Sequence, residues 1–165
     1  MTLPVNITIT GGTGFIGRRL VRRLLAEGHS VHLLVRHANT GFGPEVQCSI
    51  WNAYTIEPAA ESLAEADAVI HLAGEPVSQR WTPSAKRRIR DSRVTGTKLL
   101  IDAISRLARR PSVLVCASAI GFYGSGGDGI LTESSPAGEG FLAEVCTAWE
   151  AAADLAEKLG VRVVK

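Results

Sequence analysis

Residues 6–25 read NITITGGTGFIGRRLVRRLL, and the fold is decided there. Ile7 and Ile9 alternate with Thr8 and Thr10, with Val5 just before them, which is the pattern of a short buried strand. Gly11, Gly12, Gly14 and Gly17 follow at once, and Phe15, Ile16, Leu20, Val21, Leu24 and Leu25 then recur at helical spacing. Strand, glycine turn and helix form the first half of a dinucleotide-binding unit. Gly11 or Gly12 allows the tight turn out of the strand, Gly14 lets main-chain N–H groups approach a pyrophosphate, and Gly17 lets the helix lie close to the strand. The helix start, through Phe15 and Ile16, then offers unpaired N–H donors and a partial positive charge to phosphates.

Outward from this unit, the chain alternates strand and helix. Glu27-Gly28-His29 stops the first helix, and Val31–Val35 (VHLLV) is a strand apolar enough to be covered on both faces. At its end, where this fold usually places an acidic residue for the adenosine ribose, stand Arg36 and His37. An arginine there favours a 2′-phosphate, so the expected cofactor is NADP(H); the plainer alternative is an incidental surface arginine. Ala38–Pro44 is a loop, Val46–Trp51 a third strand, Ala59–Ala66 a short helix and Asp67–Leu72 (DAVIHL) a fourth strand. Ala73 and Gly74 put small residues at that strand's carboxyl end, as a cofactor lying across the sheet edge requires, and with Leu72 before them they are the expected cofactor contacts there. His71 fits a packed strand histidine better than a catalytic base. Thr82-Pro83 opens a helix running to about Leu107, with Ile89, Val94, Leu99, Leu100, Ile104 and Leu107 on or near its buried face. Ser112–Cys116 is a fifth strand, Ala117–Gly140 a long glycine-rich loop of functional length, Phe141–Leu159 a helix, and Val161–Val164 a sixth strand. The expected fold is α/β, a Rossmann-type doubly wound parallel sheet in order 3-2-1-4-5-6, forming one NADP-binding domain over residues 1–165.

The composition agrees with a single domain. The chain has 165 residues, 45% hydrophobic and 21% charged, with a net charge of +2. That balance argues against nucleic acid as a partner, and the arginines of residues 18–23 and 86–93 read as solvated helix faces. Cys48, Cys116 and Cys146 lack CxxC or metal-ligand spacing and read as buried thiols in a reducing compartment; no metal site is expected. No run is long enough to span a bilayer, so neither a membrane nor any compartment but the cytoplasm is expected.

Four segments in fixed order resemble the extended short-chain dehydrogenase/reductase superfamily: TGGTGFIG (10–17), DAVIHLAGE (67–75), SRVTGTKLL (92–100) and SAIGFYG (118–124). LAGEPV, the RW before a helix, SRVTGT and CTAWE (146–150) are similar to one atypical branch, the nucleoside-diphosphate-sugar epimerase-like family. The resemblance spans about Val5 to Lys165. It implies a Tyr-x-x-x-Lys pair after the fifth strand, the tyrosine as general acid/base and the lysine lowering its pKa. Aligned on Glu150, those positions hold Leu142 and Cys146, neither suited to the task. The assisting serine position holds Ala119, one residue after Ser118, and Arg93 replaces a helix asparagine. The resemblance therefore implies a cofactor groove that takes in Arg93 and Ser118, with Arg88 on a neighbouring part of the same helix face. It also implies a seventh strand and a smaller C-terminal substrate domain, which these 165 residues do not contain. The expected activity is NADP(H)-dependent hydride transfer on a small molecule, a nucleotide sugar or another carbonyl compound, with Tyr123 the nearest remaining phenol and Glu133 or Glu144 as outside candidates. The competing expectation is a non-catalytic protein that senses NADPH. Oligomeric state is not legible.

Overall fold

The computed structural model describes residues 3–125 and 129–165. Six strands, β1 (Asn6–Thr10), β2 (Ser30–Val35), β3 (Val46–Ile50), β4 (Ala68–His71), β5 (Val113–Cys116) and β6 (Arg162–Val164), form one parallel sheet ordered β3-β2-β1-β4-β5-β6. Three α-helices accompany them: α1 (Phe15–Ala26), α2 (Pro83–Ser105) and α3 (Phe141–Asp154). The order is the expected one. The chain leaves β1 to one side for β2 and β3, then crosses back to β4 on the other, so the order reverses between β1 and β4.

Each face has its own core. Ile7 and Ile9 of β1 stand in register with Val31 and Leu33 of β2, and all four pack under Val21, Leu20, Leu24 and Leu25 of α1. On the opposite face, Val69 and Leu114 are in register and fully buried beneath Leu100 and Ile104 of α2, with Leu34, Trp51 and Leu63 extending that core. Burying a side chain of this kind contributes about 1.5–3 kcal/mol. Thr82 caps α2 as expected, its side-chain oxygen accepting from Ala85 N at 3.2 Å, with Pro83 in the first turn.

Several expectations are corrected. Phe15 and Ile16 are not on the buried face of α1: they are 89% and 65% exposed at its solvent end. Residues 59–66 make a short 3₁₀ turn, Ala60–Ser62, in place of a helix. The Ser62 hydroxyl donates to Ala59 O, and the Ser62 carbonyl accepts from Thr8 Oγ1, so side chains take over bonds that helix propagation would supply. The third strand is at the sheet edge, and Cys48 on it is exposed, whereas Cys116 and Cys146 are buried. The loop 117–140 holds a 3₁₀ turn, Ile120–Tyr123, and is closed on itself by Gly138 N donating to Phe122 O at 2.9 Å; residues 126–128 of that loop lie outside the described residues. After α3 the chain tightens into a 3₁₀ turn, Leu155–Leu159, and Gly160 ends it in the left-handed conformation.

Candidate functional site

A cleft of about 270 Å³ opens at the carboxyl ends of the strands, where the strand order reverses. Gly11 and Gly14, Arg36, Tyr54, Leu72–Glu75 and Ser92 line it. The turn out of β1 falls to Gly11, not Gly12. Gly11 has φ +72°, and a Cβ there would come within 2.7 Å of Leu72 C, so only glycine lets β1 and β4 leave the sheet side by side. Gly17 is buried beneath, with the Gly11 carbonyl where its Cβ would be, and so draws α1 onto the turn.

Gly14, at the N-cap of α1, is extended, bears no capping side chain and has no acidic residue in the turn after it. The positive end of the helix is therefore not neutralised by its own side chains and faces the cleft. This arrangement fits the pyrophosphate of a dinucleotide. Arg36 is exposed on the rim, with no ion-pair partner among the described residues.

The floor of the cleft is fastened by a buried chain of hydrogen bonds. Ala73 N donates to Thr10 Oγ1, which lies 2.6 Å from His71 Nδ1; His71 Nε2 lies 3.1 Å from Thr97 Oγ1, which donates to Arg93 O. Because the Thr97 proton goes to Arg93 O, His71 must donate through Nε2 and accept through Nδ1 from Thr10. A neutral imidazole satisfies every group in the chain. Burial, reinforced by the Arg93 charge, pulls His71 down to about 4. It is a packed strand histidine.

Glu75 is held at each of its polar groups. Its N–H meets Ser92 Oγ at 2.9 Å, its carbonyl accepts from Arg93 at 3.0 Å, and its carboxylate accepts from Tyr54 at 2.9 Å and from Arg88 at 3.2 Å. Burial alone would raise the Glu75 carboxyl, but the hydrogen bonds from Tyr54, Arg88 and Gln79 outweigh it and hold the group below its ordinary value. Tyr54 and Glu75 escaped sequence reading as site residues: Tyr54 lies in none of the quoted motifs, and Glu75, although it closes DAVIHLAGE, was given no role there. The sign that could have found Glu75 is its place directly after Ala73-Gly74.

The remaining predicted residues are dispersed. The Arg93 guanidinium lies behind Gly74 and over the Trp149 ring, 5.2 Å from its centroid, and donates to the main-chain carbonyls of Glu75 and Ile89. Arg88 is spent on Glu75 and Gln79. The Ser118 hydroxyl donates to Glu150 on α3, and Glu150 also meets Lys165. Tyr123 sits half-buried in its 3₁₀ turn, edge-on to Phe122. Leu142 and Cys146 both face Gly121. Burial raises the Cys146 thiol, the Arg93 charge opposing, and pushes Cys116 up to about 12. Glu133 is exposed, as is Glu144 in the first turn of α3. A larger hollow, about 530 Å³, opens at the amino ends of β1 and β2, lined by Gly28 of the turn after α1 and by Glu61 and Ser62, and none of the residues lining it belongs to the first turn of an α-helix. Among the described residues no three His, Cys, Asp or Glu side chains gather as a metal site, and no helix is long and apolar enough to cross a membrane.

A parallel sheet with this strand order, and a glycine turn leading to an uncapped helix start at its reversal, defines a Rossmann-type nucleotide-binding fold. The chain belongs to the NAD dependent epimerase/dehydratase family, which residues 7–161 match. It is 40% identical over 161 residues to the chloroplastic epimerase family protein SDR39U1 homolog of Arabidopsis thaliana, covering 93% of this chain and 46% of that protein. To the human epimerase family protein SDR39U1 it is 33% identical, over 92% of this chain and 50% of that one. Among solved structures it is similar to the nucleoside-diphosphate sugar epimerase of Corynebacterium glutamicum, with TM-score 0.81 and 40% identity over 98% of this chain and 33% of that one. Human SDR39U1 isoform 2, solved with NADPH, superposes with TM-score 0.70 and 31% identity, over 89% of this chain and 48% of that chain. The chain spans about half the length of the curated relatives it matches.

Proposed function

We propose that the chain is the NADP(H)-binding part of an epimerase- or dehydratase-like oxidoreductase that works without the Tyr-x-x-x-Lys pair. The observation that carries this reading is the α1 start at Gly14, with no side chain capping it, facing a cleft whose rim bears Arg36. In this reading the N–H groups of the Gly11–Gly17 turn, with those of Phe15 and Ile16, hold the pyrophosphate, and Arg36 reads the 2′-phosphate by charge-assisted hydrogen bonds. The main chain of Leu72, Ala73 and Gly74 admits the sugar and ring. Arg93 braces that strand end from behind, and Ser118 with Glu150 holds the end of β5. When bound, the nicotinamide supplies hydride transfer to or from a carbonyl or carbinol carbon. The NADPH named with the human relative's structure supports the cofactor choice.

A second reading, a protein that binds NADPH without turnover, draws support from Leu142 and Cys146. Both face Gly121, leucine has no proton to exchange, and the raised thiol stays neutral near pH 7.

Titration with NADPH tests the proposal. The parent chain should bind it saturably, and Gly14→Leu should abolish binding while the fold persists, since Gly14 has an ordinary extended backbone and its Cβ would meet only Gly11 O, at 3.2 Å. A folded Gly14→Leu protein with parental affinity would exclude this turn as the pyrophosphate site.

A further inference from the structure

The first turns of α2 and α3 meet beside the cleft in a cluster that the cofactor reading does not use. Trp81 stands just before α2, 42% exposed, its Nε1 donating to Val77 O at 2.9 Å. That bond fixes the indole while leaving it partly open to solvent. Phe141, the first residue of α3, meets it edge-on, with centroids 5.4 Å apart and planes at 65°. Lys86 Nζ lies 5.1 Å from the Phe141 centroid and 6.0 Å from that of Trp81.

Ring faces attract an ammonium without neutralising it. Lys86 is exposed and has no carboxylate at ion-pair distance among the described residues, whereas nearby Arg88 is paired with Glu75. A cation is thus held over a partly exposed aromatic pair with no carboxylate to compensate its charge. Trp81 closes the loop that leads from Glu75 of the cleft, and exposed Val77 in that loop adds apolar surface. Trp51 and Trp149 are buried, so Trp81 alone of the three indoles offers its face.

We infer that Trp81, Phe141 and Lys86 form a substrate subsite for a planar ring carrying an anionic group: the ring stacks on Trp81, and the anion pairs with Lys86. This deepens the oxidoreductase reading and rests on it for the word substrate, but the binding itself is measurable apart from cofactor or turnover.

Calorimetric titration with naphthalene-2-carboxylate tests it, compared with the neutral naphthalene-2-carboxamide and the saturated cyclohexanecarboxylate. The aromatic anion should bind about tenfold more tightly than either comparator, a difference equal to one charge-assisted contact. Lys86→Met should erase the preference for anion over amide, and Trp81→Leu the preference for aromatic over saturated ring. The Trp81 indole N–H resonance should shift on binding, while those of Trp51 and Trp149 stay in place. Absence of binding, equal affinity for the three probes, or undiminished selectivity in a folded Lys86→Met variant would overturn the subsite. NADPH titration of the same samples separates the two readings. Intact NADPH binding without probe selectivity removes only the subsite, and selectivity without NADPH binding removes only the cofactor assignment.

Discussion

At the scale of single residues, Arg36 carries the proposed choice of cofactor. It is exposed on the cleft rim and paired with no carboxylate among the described residues, so its hydrogen-bonding capacity is free for a ligand. Arg36→Ala should weaken NADPH binding by about 1.5–3 kcal/mol, the range for hydrogen bonds to a charged group, and leave NADH little changed. Equal loss for both cofactors, measured by titration, would show that Arg36 does not read the phosphate. The pair Cys146 and Arg93 makes a second comparison. The Cys146 thiol is buried facing Gly121 and its raised value keeps it neutral, so Cys146→Ala should keep NADPH affinity within a few-fold. Arg93→Ala should lose more, because two carbonyls, one of them at Glu75, lose their donor behind the cleft floor. A folded Cys146 variant that loses affinity or turnover would restore the thiol as a working group.

At the scale of elements, the His71 chain ties β1, β4 and α2 together through Thr10 and Thr97. The imidazole is neutral in the fold, with its value lowered from an ordinary 6.5 to about 4. The unfolded chain therefore takes up a proton at His71 between those values while the folded chain does not. The stability this neutral histidine contributes is fully present above pH 6.5 and is lost as pH falls toward 4, by about 3 kcal/mol in total. Urea unfolding followed from pH 7 to pH 4 should show this fall, and His71→Gln should flatten it relative to the parent. Parallel pH profiles for the two proteins would show that His71 is not the group responsible. The same chain explains why Arg93 is a brace: its main-chain carbonyl ends the histidine relay, and its guanidinium holds Glu75.

At the scale of the whole molecule, the cleft exists because β1 and β4 are neighbours whose connections leave in opposite directions. Residues from the ends of β1, β2 and β4 and from α2 meet there, so a bound dinucleotide would favour the folded chain over the unfolded one. NADPH at about a hundred times its dissociation constant should add about 2.7 kcal/mol and raise Tm by about 5–10 °C. NADH at the same concentration should raise it less. A melting curve indifferent to NADPH would count against the proposed cofactor.

The chain order of strands and helices, the doubly wound sheet and the glycine turn were legible in the sequence, because apolar periodicity and glycine spacing are local consequences of which face is buried and where the backbone must turn. The position of Arg36 just after β2, at the cleft, was legible for the same reason, lying at a fixed distance from that turn. Other features depended on neighbours far along the chain. Helical spacing put Phe15 and Ile16 in the apolar stripe, but the helix start projects past the sheet and leaves them in solvent. Alanines at residues 59–66 suggested a helix, yet Thr8, 54 residues away from Ser62, takes the carbonyl bond that a helix would need. Arg93 was read from its place on the helix, but only tertiary packing decided that its guanidinium lies against Gly74 and donates to the carbonyls of Glu75 and Ile89. Tyr54 and Glu75 meet across 21 residues of sequence, and no periodicity records such a pairing. Local spacing determined the elements, and only packing between distant segments decided which polar atoms remained free to meet a ligand.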